Sequence, residues 1–275
     1  MKHPFEHILL ATEHTEFDIG SEQLAFDMAL RCGLPLEAVL PVVSNPEYEV
    51  VAPQLAERAE HEAATKIKML YDAAAAKGVQ IEIRARRGEE PFREIVQEAV
   101  ERKSDLIITR RRGKRSFLSN LMIGEMVSKV VAHAPCCVMF VPRAAQMWSR
   151  GILAAVDASP SSELVAKKAA LIAVQCSLPL TLLSVAPHDT PDLLEQAQRT
   201  LASAYSLGKE IGIDATTLML VGKPFEQILS VAKNTNADLI VIGRHGEGNL
   251  IHTPFGGTTQ KVVGLAEMPV LVVRS

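Results

Sequence analysis

The chain is poor in aromatic residues, in cysteine and in long apolar runs. Phe, Trp and Tyr supply 4% of its 275 residues while hydrophobic residues as a whole supply 48%, so its cores must be aliphatic, built from Leu, Ile, Val and Ala. No apolar run reaches the roughly 18 residues that a membrane-spanning helix requires. The opening MKHPFEHILLATEH has neither an apolar signal core nor a small-residue cleavage site. The four cysteines, Cys32, Cys136, Cys137 and Cys176, form no C-x-x-C, and the adjacent pair cannot readily bridge each other. Reduced, buried thiols in a cytoplasmic protein are the expectation. A net charge of −3 argues against bulk attraction to nucleic acid or to a membrane surface. Several chemical signatures are missing as well: G-x-x-x-x-G-K-[ST], G-x-G-x-x-G after an early strand, G-x-S-x-G and H-E-x-x-H. His245 and His252 stand near each other but without a partner cluster that suggests a metal.

What is present is a repeat. ILLATE at 8–13 matches ILAAVD at 152–157, and CGLPL at 32–36 matches CSLPL at 176–180, both 144 residues apart. GEEPFREI (88–95) then answers GKPFEQI (222–228), and SDLIITRRRG (104–113) answers ADLIVIGRHG (237–246). GEMVSKVV (124–131) pairs with GGTTQKVV (256–263), and PCCVMFV (135–141) with PVLVV (269–273). The order is the same in both halves, so the chain is a tandem duplication with units at 1–143 and 151–275. The seam, RAAQMWSR at 143–150, holds the only tryptophan, Trp148, which is expected to pack rather than to bind.

Each unit alternates short β-rich runs with helical patterns. In the second, strands are expected at Ile152–Val156, Leu180–Val185, Thr216–Val221, Leu239–Ile242 and Val270–Val273. Helices are expected at Ser162–Cys176, Pro191–Ile211 and Pro224–Thr235. In the first unit a long helix is expected over Glu49–Lys77, stopped at Gly78. Strands joined by crossover helices predict an α/β fold: open, mainly parallel sheets with helices on both faces. Such sheets bind ligands at the carboxyl ends of their strands, which places Asp157, Val185–Pro187 and the loop opening at Gly243 in the expected site.

That loop, GRHGEGNLIHTPFGGT at 243–258, follows an apolar strand and runs into a helix expected at Gly256–Val263. Glycines permit positive φ and close backbone approach, and bare N–H groups at a helix start suit an anion. Thr258 and Thr259 would add hydroxyl donors, and His245 could face a phosphate. A plain surface loop is the alternative.

The spacing Gly243-x2-Gly246-x9-Gly256 resembles the nucleotide loop G-x2-G-x9-G-[ST] of the universal stress protein family. ILAAVDASPSS at 152–162, ADLIVIG at 237–243 and the terminal PVLVV resemble the same family, and the likeness covers both halves. The resemblance implies two Rossmann-like units, each a five-stranded sheet, paired as an internal pseudo-dimer through Cys136–Val141 and Val270–Val273. It also implies ATP, with or without Mg2+, bound in the second unit. By position, Asp157 would take the ribose or adenine edge and Val185 the base. Gly243 and Gly246 would admit the phosphate chain, and the N–H groups of Gly256, Gly257 and Thr258 would hold the terminal phosphates. One departure stands out: Gly257 occupies the family's Ser/Thr position, so a hydroxyl is lost.

The first unit departs further. Arg110 replaces the first glycine, Glu13 the aspartate, and Glu125 the hydroxyl residue; Gly113 and Gly124 remain, one residue too far apart. Bulk and negative charge there disfavour a phosphate, so this unit is expected to be degenerate. RRRGKR (110–115) is open to three readings: a solvated loop with Arg110 paired to Glu13 or Glu125, an anion site of arginine forks, or a nucleic-acid contact. The function expected is a cytoplasmic stress-response regulator that binds an adenine nucleotide. No activated nucleophile or metal cluster is readable, so catalysis is not expected beyond weak ATP hydrolysis. A partner-binding scaffold and a slow ATPase stand as alternatives, and further association into a homodimer is left open.

Overall fold

The apolar runs become the strands of one sheet. The computed structural model describes residues 3–45, 50–111, 125–246 and 256–274. In the first unit β1 (Ile8–Ala11), β2 (Leu36–Val43), β3 (Ile81–Gly88), β4 (Leu106–Arg110) and β5 (Cys137–Val141) alternate with α1 (Ile19–Cys32), α2 (Pro53–Ala76), α3 (Pro91–Glu101) and α4 (Glu125–His133). The second repeats the pattern with β6 (Ile152–Ala155), β7 (Leu180–Ala186), β8 (Thr216–Val221), β9 (Leu239–Gly243) and β10 (Val270–Val273). Its helices are α5 (Ser162–Cys176), α6 (Pro191–Ile211), α7 (Pro224–Asn234) and α8 (Gly257–Leu265).

The strand order is β3-β2-β1-β4-β5-β10-β9-β6-β7-β8. Every neighbouring pair is parallel except one: β5 and β10 run antiparallel, with Met139 opposite Leu271. The two units thus join edge to edge through their last strands, and two otherwise exposed edges disappear. In each unit the order reverses between the first and fourth strands, which opens a crevice at their carboxyl ends.

Strand side chains alternate between faces, and both faces are covered. Leu10, Ile108, Met139 and Leu271 pack with Leu24 of α1, Leu70 of α2 and Val165 of α5. Leu9, Ile107, Val138 and Val272 pack on the other side with Ile95 of α3, Val130 of α4, Ile228 of α7 and Val262 of α8. Each layer runs unbroken across the seam. Trp148 is buried in the first of them, as is Phe5.

The entry of each unit into its sheet is fixed in the same way. Asp238 at the start of β9 accepts backbone N–H bonds from Ser149, Arg150 and Gly151 at 2.9–3.1 Å. Asp105, its counterpart, accepts from Glu6 and His7. Lys103 and Asn236, each two residues upstream, both adopt positive φ.

Two expectations need correction. The long helix expected over Glu49–Lys77 is broken at Ala52: Val50 and Val51 are helical, Ala52 sits at φ −139° and the helix resumes at Pro53, because the residue before a proline is driven out of the helical region; 46–49 lie outside the described residues. The thiols are all free, but only Cys137 is fully buried; Cys32, Cys136 and Cys176 are half-buried. Burial pushes the Cys136 thiol up to about 12, with Cys137 beside it adding to the shift. No helix among the described residues is long and apolar enough to cross a membrane.

Candidate nucleotide site

A cleft of about 470 Å³ opens at the carboxyl ends of β6, β7 and β9, large enough for a small ligand. Asp157 and Val185 line it from β6 and β7. Gly243 and Gly246 line it from the end of β9, and Gly256, Gly257 and Thr258 from the start of α8. The structure therefore brings all seven residues singled out in the sequence to one cavity. The segment 247–255 between the two glycine pairs, with His252, lies outside the described residues.

The glycines serve close approach, not positive φ. Among the described glycines positive φ occurs at Gly33, Gly78, Gly212 and Gly222, none of them in this loop. A Cβ on Gly243 would lie 2.5 Å from Ser161 Oγ, and one on Gly246 would lie 2.6 Å from Asp157 Oδ2. Gly256 is packed against His245 and Gly246, and its N–H donates to the Arg244 carbonyl at 3.0 Å. Gly257 differs: a Cβ there meets nothing within 4 Å.

Asp157 is held by its own turn. Its Oδ1 accepts from Ser159 N and Ser162 Oγ, both at 3.0 Å, and its N–H donates to Ser162 Oγ at 2.8 Å. The sequence ASPSS thus orders a carboxylate at the mouth of α5. Ser161, the residue preceding α5, is buried and donates to the His245 carbonyl at 3.4 Å, tying this turn to the glycine loop.

The start of α8 carries no acidic side chain in its first turn, so its free N–H groups and the positive end of its dipole favour an anion. The hydroxyl expected of Thr259 is committed elsewhere. Thr259 is buried and donates to the Gly243 carbonyl at 2.8 Å, which pins α8 to β9; both threonines line the cleft, but the Thr259 hydroxyl proton is already given away. Lys261 was not expected in the sequence. It stands over the Phe225 ring at 4.6 Å and lines the cleft as a cation. Its position four residues after Gly257 on one helix face was the available signal. Leu183, Ile228 and Ile242 complete an apolar wall behind Val185.

In the first unit an arginine stands at the position that matches Gly243. Arg110 is 3% exposed and Asp18, the residue preceding α1, is 1% exposed. The Arg110 guanidinium donates to Asp18 Oδ2 at 2.7 Å and to Thr15 Oγ1 at 2.8 Å, and lies 2.9 Å from Glu13 Oε2. Pairing with Glu13 was among the expected arrangements; Asp18 was not. Gly113, Gly124 and the rest of RRRGKR after Arg111 lie outside the described residues, as does the side chain of Glu125.

A twice-repeated α/β sheet, joined through its last strands and carrying a glycine-lined crevice at a strand switch, defines a tandem Rossmann-like protein. The family model for the universal stress protein family matches residues 4–142 and again 149–274, and the chain belongs to that family. Over 81 residues it is 43% identical to a universal stress protein of Thermus aquaticus, a match covering 30% of this chain and 58% of that protein. Over 82 residues it is 30% identical to one of Methanocaldococcus jannaschii, covering 30% of this chain and 51% of that one. The chain thus spans about half the length of these curated relatives. A universal stress protein from Archaeoglobus fulgidus shares the fold end to end, with a TM-score of 0.72 at 19% identity over 99% of this chain and 97% of that one. A second structure from that organism was solved in complex with dAMP; it is 25% identical, covers 45% of this chain and 97% of its own, and has a TM-score of 0.40.

Proposed function

We propose that the second unit binds an adenine nucleotide, ATP in the first instance, and that the first unit does not. The observation that carries this reading is the convergence of Asp157, the close-approach glycines and the acid-free start of α8 on one cleft. The residues fit the group with one change: an apolar wall at Val185 and Ile242 suits a base, Asp157 a ribose hydroxyl, and the N–H groups of Gly257 and Thr258 the phosphates, whereas the Gly256 N–H, expected to join them, is already given to the Arg244 carbonyl. Lys261 adds charge that a triphosphate would use. Among the described lining residues Asp157 is the one carboxylate, so a Mg2+ would travel with the phosphates rather than wait in the protein. The role is binding, in a cytoplasmic regulator responding to stress, with ATP hydrolysis at most weak.

Calorimetric titration of nucleotide-stripped protein with Mg-ATP tests this. One site per chain is expected. Two sites would mean that Arg110 does not close the first unit, and none would move the weight to a partner-binding scaffold. The open space at Gly257 adds a sharper expectation. Gly257→Ser restores a hydroxyl without a clash and should tighten ATP binding about threefold to tenfold, the yield of one added hydrogen bond. Unchanged or weaker binding of that variant would remove the terminal phosphates from this end of α8.

A further inference from the structure

The residue after Arg110 reaches into the other unit. Arg111 N–H donates to the Val141 carbonyl at 2.9 Å, which fixes its backbone at the end of β5. Its side chain then crosses the seam. Arg111 Nη1 donates to the carbonyls of Gly264 at 2.7 Å and Ala266 at 2.6 Å, with Val263 at 3.5 Å. Val263 and Gly264 carry carbonyls of the last turn of α8 and Ala266 is the residue that follows it; the first turn of the same helix faces the cleft.

Helix α8 needs this contact. Its final carbonyls have no intrahelical partner. Several other helices close with a left-handed residue, Gly33 after α1, Ser177 after α5 and Gly212 after α6. The residue after α8, Ala266, is instead extended at φ −60°, ψ 139°, and the last turn carries no basic residue of its own. A guanidinium from the first unit supplies both the donors and the positive charge that a helix end favours. At nine residues α8 is short, about 13 Å at the standard rise, so it moves as one rigid piece. It is pinned at one end by Thr259 to Gly243 and at the other by Arg111.

We infer that Arg111 is a positioning residue for the cleft of the second unit: it holds α8 from behind and so sets where the N–H groups of Gly257 and Thr258 point. This rests on the reading of the cleft as a nucleotide site. The degenerate loop acquires a purpose on this account. Arg110, locked by Asp18 and Glu13, closes one cleft and anchors the backbone from which Arg111 braces the other.

The test uses the full chain with Arg111→Ala and Arg111→Lys. Hydrogen exchange of the Gly257–Leu265 peptide, measured without ligand, should speed up about tenfold or more in Arg111→Ala as the helix opens locally. The Kd for Mg-ATP should rise roughly tenfold, within the range of couplings from residues that touch no ligand. Adenosine, which lacks the phosphates that α8 would hold, should bind with its Kd unchanged. Arg111→Lys, which keeps the charge, should recover part of both effects. Unchanged exchange would overturn the clamp. Equal losses for ATP and adenosine would overturn the positioning role and leave Arg111 as general support for the fold. Wild-type protein that binds neither ligand would sink the nucleotide reading, and with it the positioning role; the exchange data would then decide whether the clamp itself exists.

Discussion

Gly243→Arg should abolish nucleotide binding, raising the Kd for Mg-ATP by at least about a hundredfold, or about 2.7 kcal/mol. Two effects combine. The new Cβ meets Ser161 Oγ, which lies only 2.5 Å from where it must go and is buried at the start of α5. The side chain beyond it fills the cleft and draws Asp157 into an ion pair, removing the carboxylate from the ribose. The first unit already carries an arginine at the matching position, Arg110, buried against Asp18 and Glu13. It also shows what the single substitution lacks. Asp18 and Ser161 hold the same place, each immediately before the first helix of its unit. Gly243→Arg alone therefore buries a guanidinium with one acidic partner where the first unit provides two, and the variant should melt several degrees below wild type. Adding Ser161→Asp copies the missing partner. The double variant should recover most of the melting temperature and none of the binding. Recovery of binding in the double variant, or ATP affinity retained in the single one, would show that an arginine here is compatible with the ligand and would reopen the first unit as a site.

Much of this was readable without coordinates, and the limits have physical causes. The strand at Thr216–Val221 and the helices Ser162–Cys176 and Pro191–Ile211 fall where period and proline placement put them. The pairing through the last strands was implied by the family resemblance, and its antiparallel sense follows because two like units presenting the same edge meet about a two-fold axis. Asp18 was hidden because it lies 92 residues from Arg110, and because the spacing of the repeats slips there. The first strands stand 144 residues apart, but the helices that follow begin at Ile19 and Ser162, 143 apart. Asp18 thus fell out of register with Ser161 in a simple comparison. The glycines do line one cleft, but what requires glycine at Gly243 and Gly246 is tertiary contact with Ser161 and Asp157 rather than backbone torsion. Thr259 and Arg111 were misjudged or passed over for a related cause. A side chain's hydrogen-bond partner is set by which elements pack together, and local sequence does not contain it.

The largest effect on stability is expected at Glu98, far from the cleft. Its side chain is 0% exposed and gathers three arginines. Arg86 and Arg102 approach it at 2.8 Å and Arg84 at 3.3 Å. Removing the carboxylate takes away the one partner that all three share, and leaves Arg84 with Glu101, Arg86 with Glu94 and Glu101, and Arg102 with Glu37 and Glu82. Glu98→Ala should cost about 2–3 kcal/mol, the loss of buried charged hydrogen bonds from arginines that keep other carboxylates, read as a fall in the denaturant midpoint. The second unit has solved the same packing without charge. By register Arg84 and Arg86 correspond to Leu218 and Leu220, and Glu98 to Val231, and those three pack in one apolar cluster. Arg84→Leu/Arg86→Leu/Glu98→Val should therefore come within about 1–2 kcal/mol of wild type or exceed it, since apolar replacement of a buried ion cluster is often neutral or stabilising. Acid separates the two solutions. Burial pushes the Glu98 carboxyl up, but the bonds from Arg102 and Arg86 more than offset this and hold it below the ordinary 4.5. The native state then binds fewer protons than the unfolded chain, so this contribution is fully present above about pH 4.5 and is lost as pH falls through the lower, native value. Wild type should lose stability in that window more steeply than the apolar triple variant. Parallel acid profiles for the two proteins would show instead that the cluster contributes through packing of the arginine stems, with the charge of Glu98 a passenger.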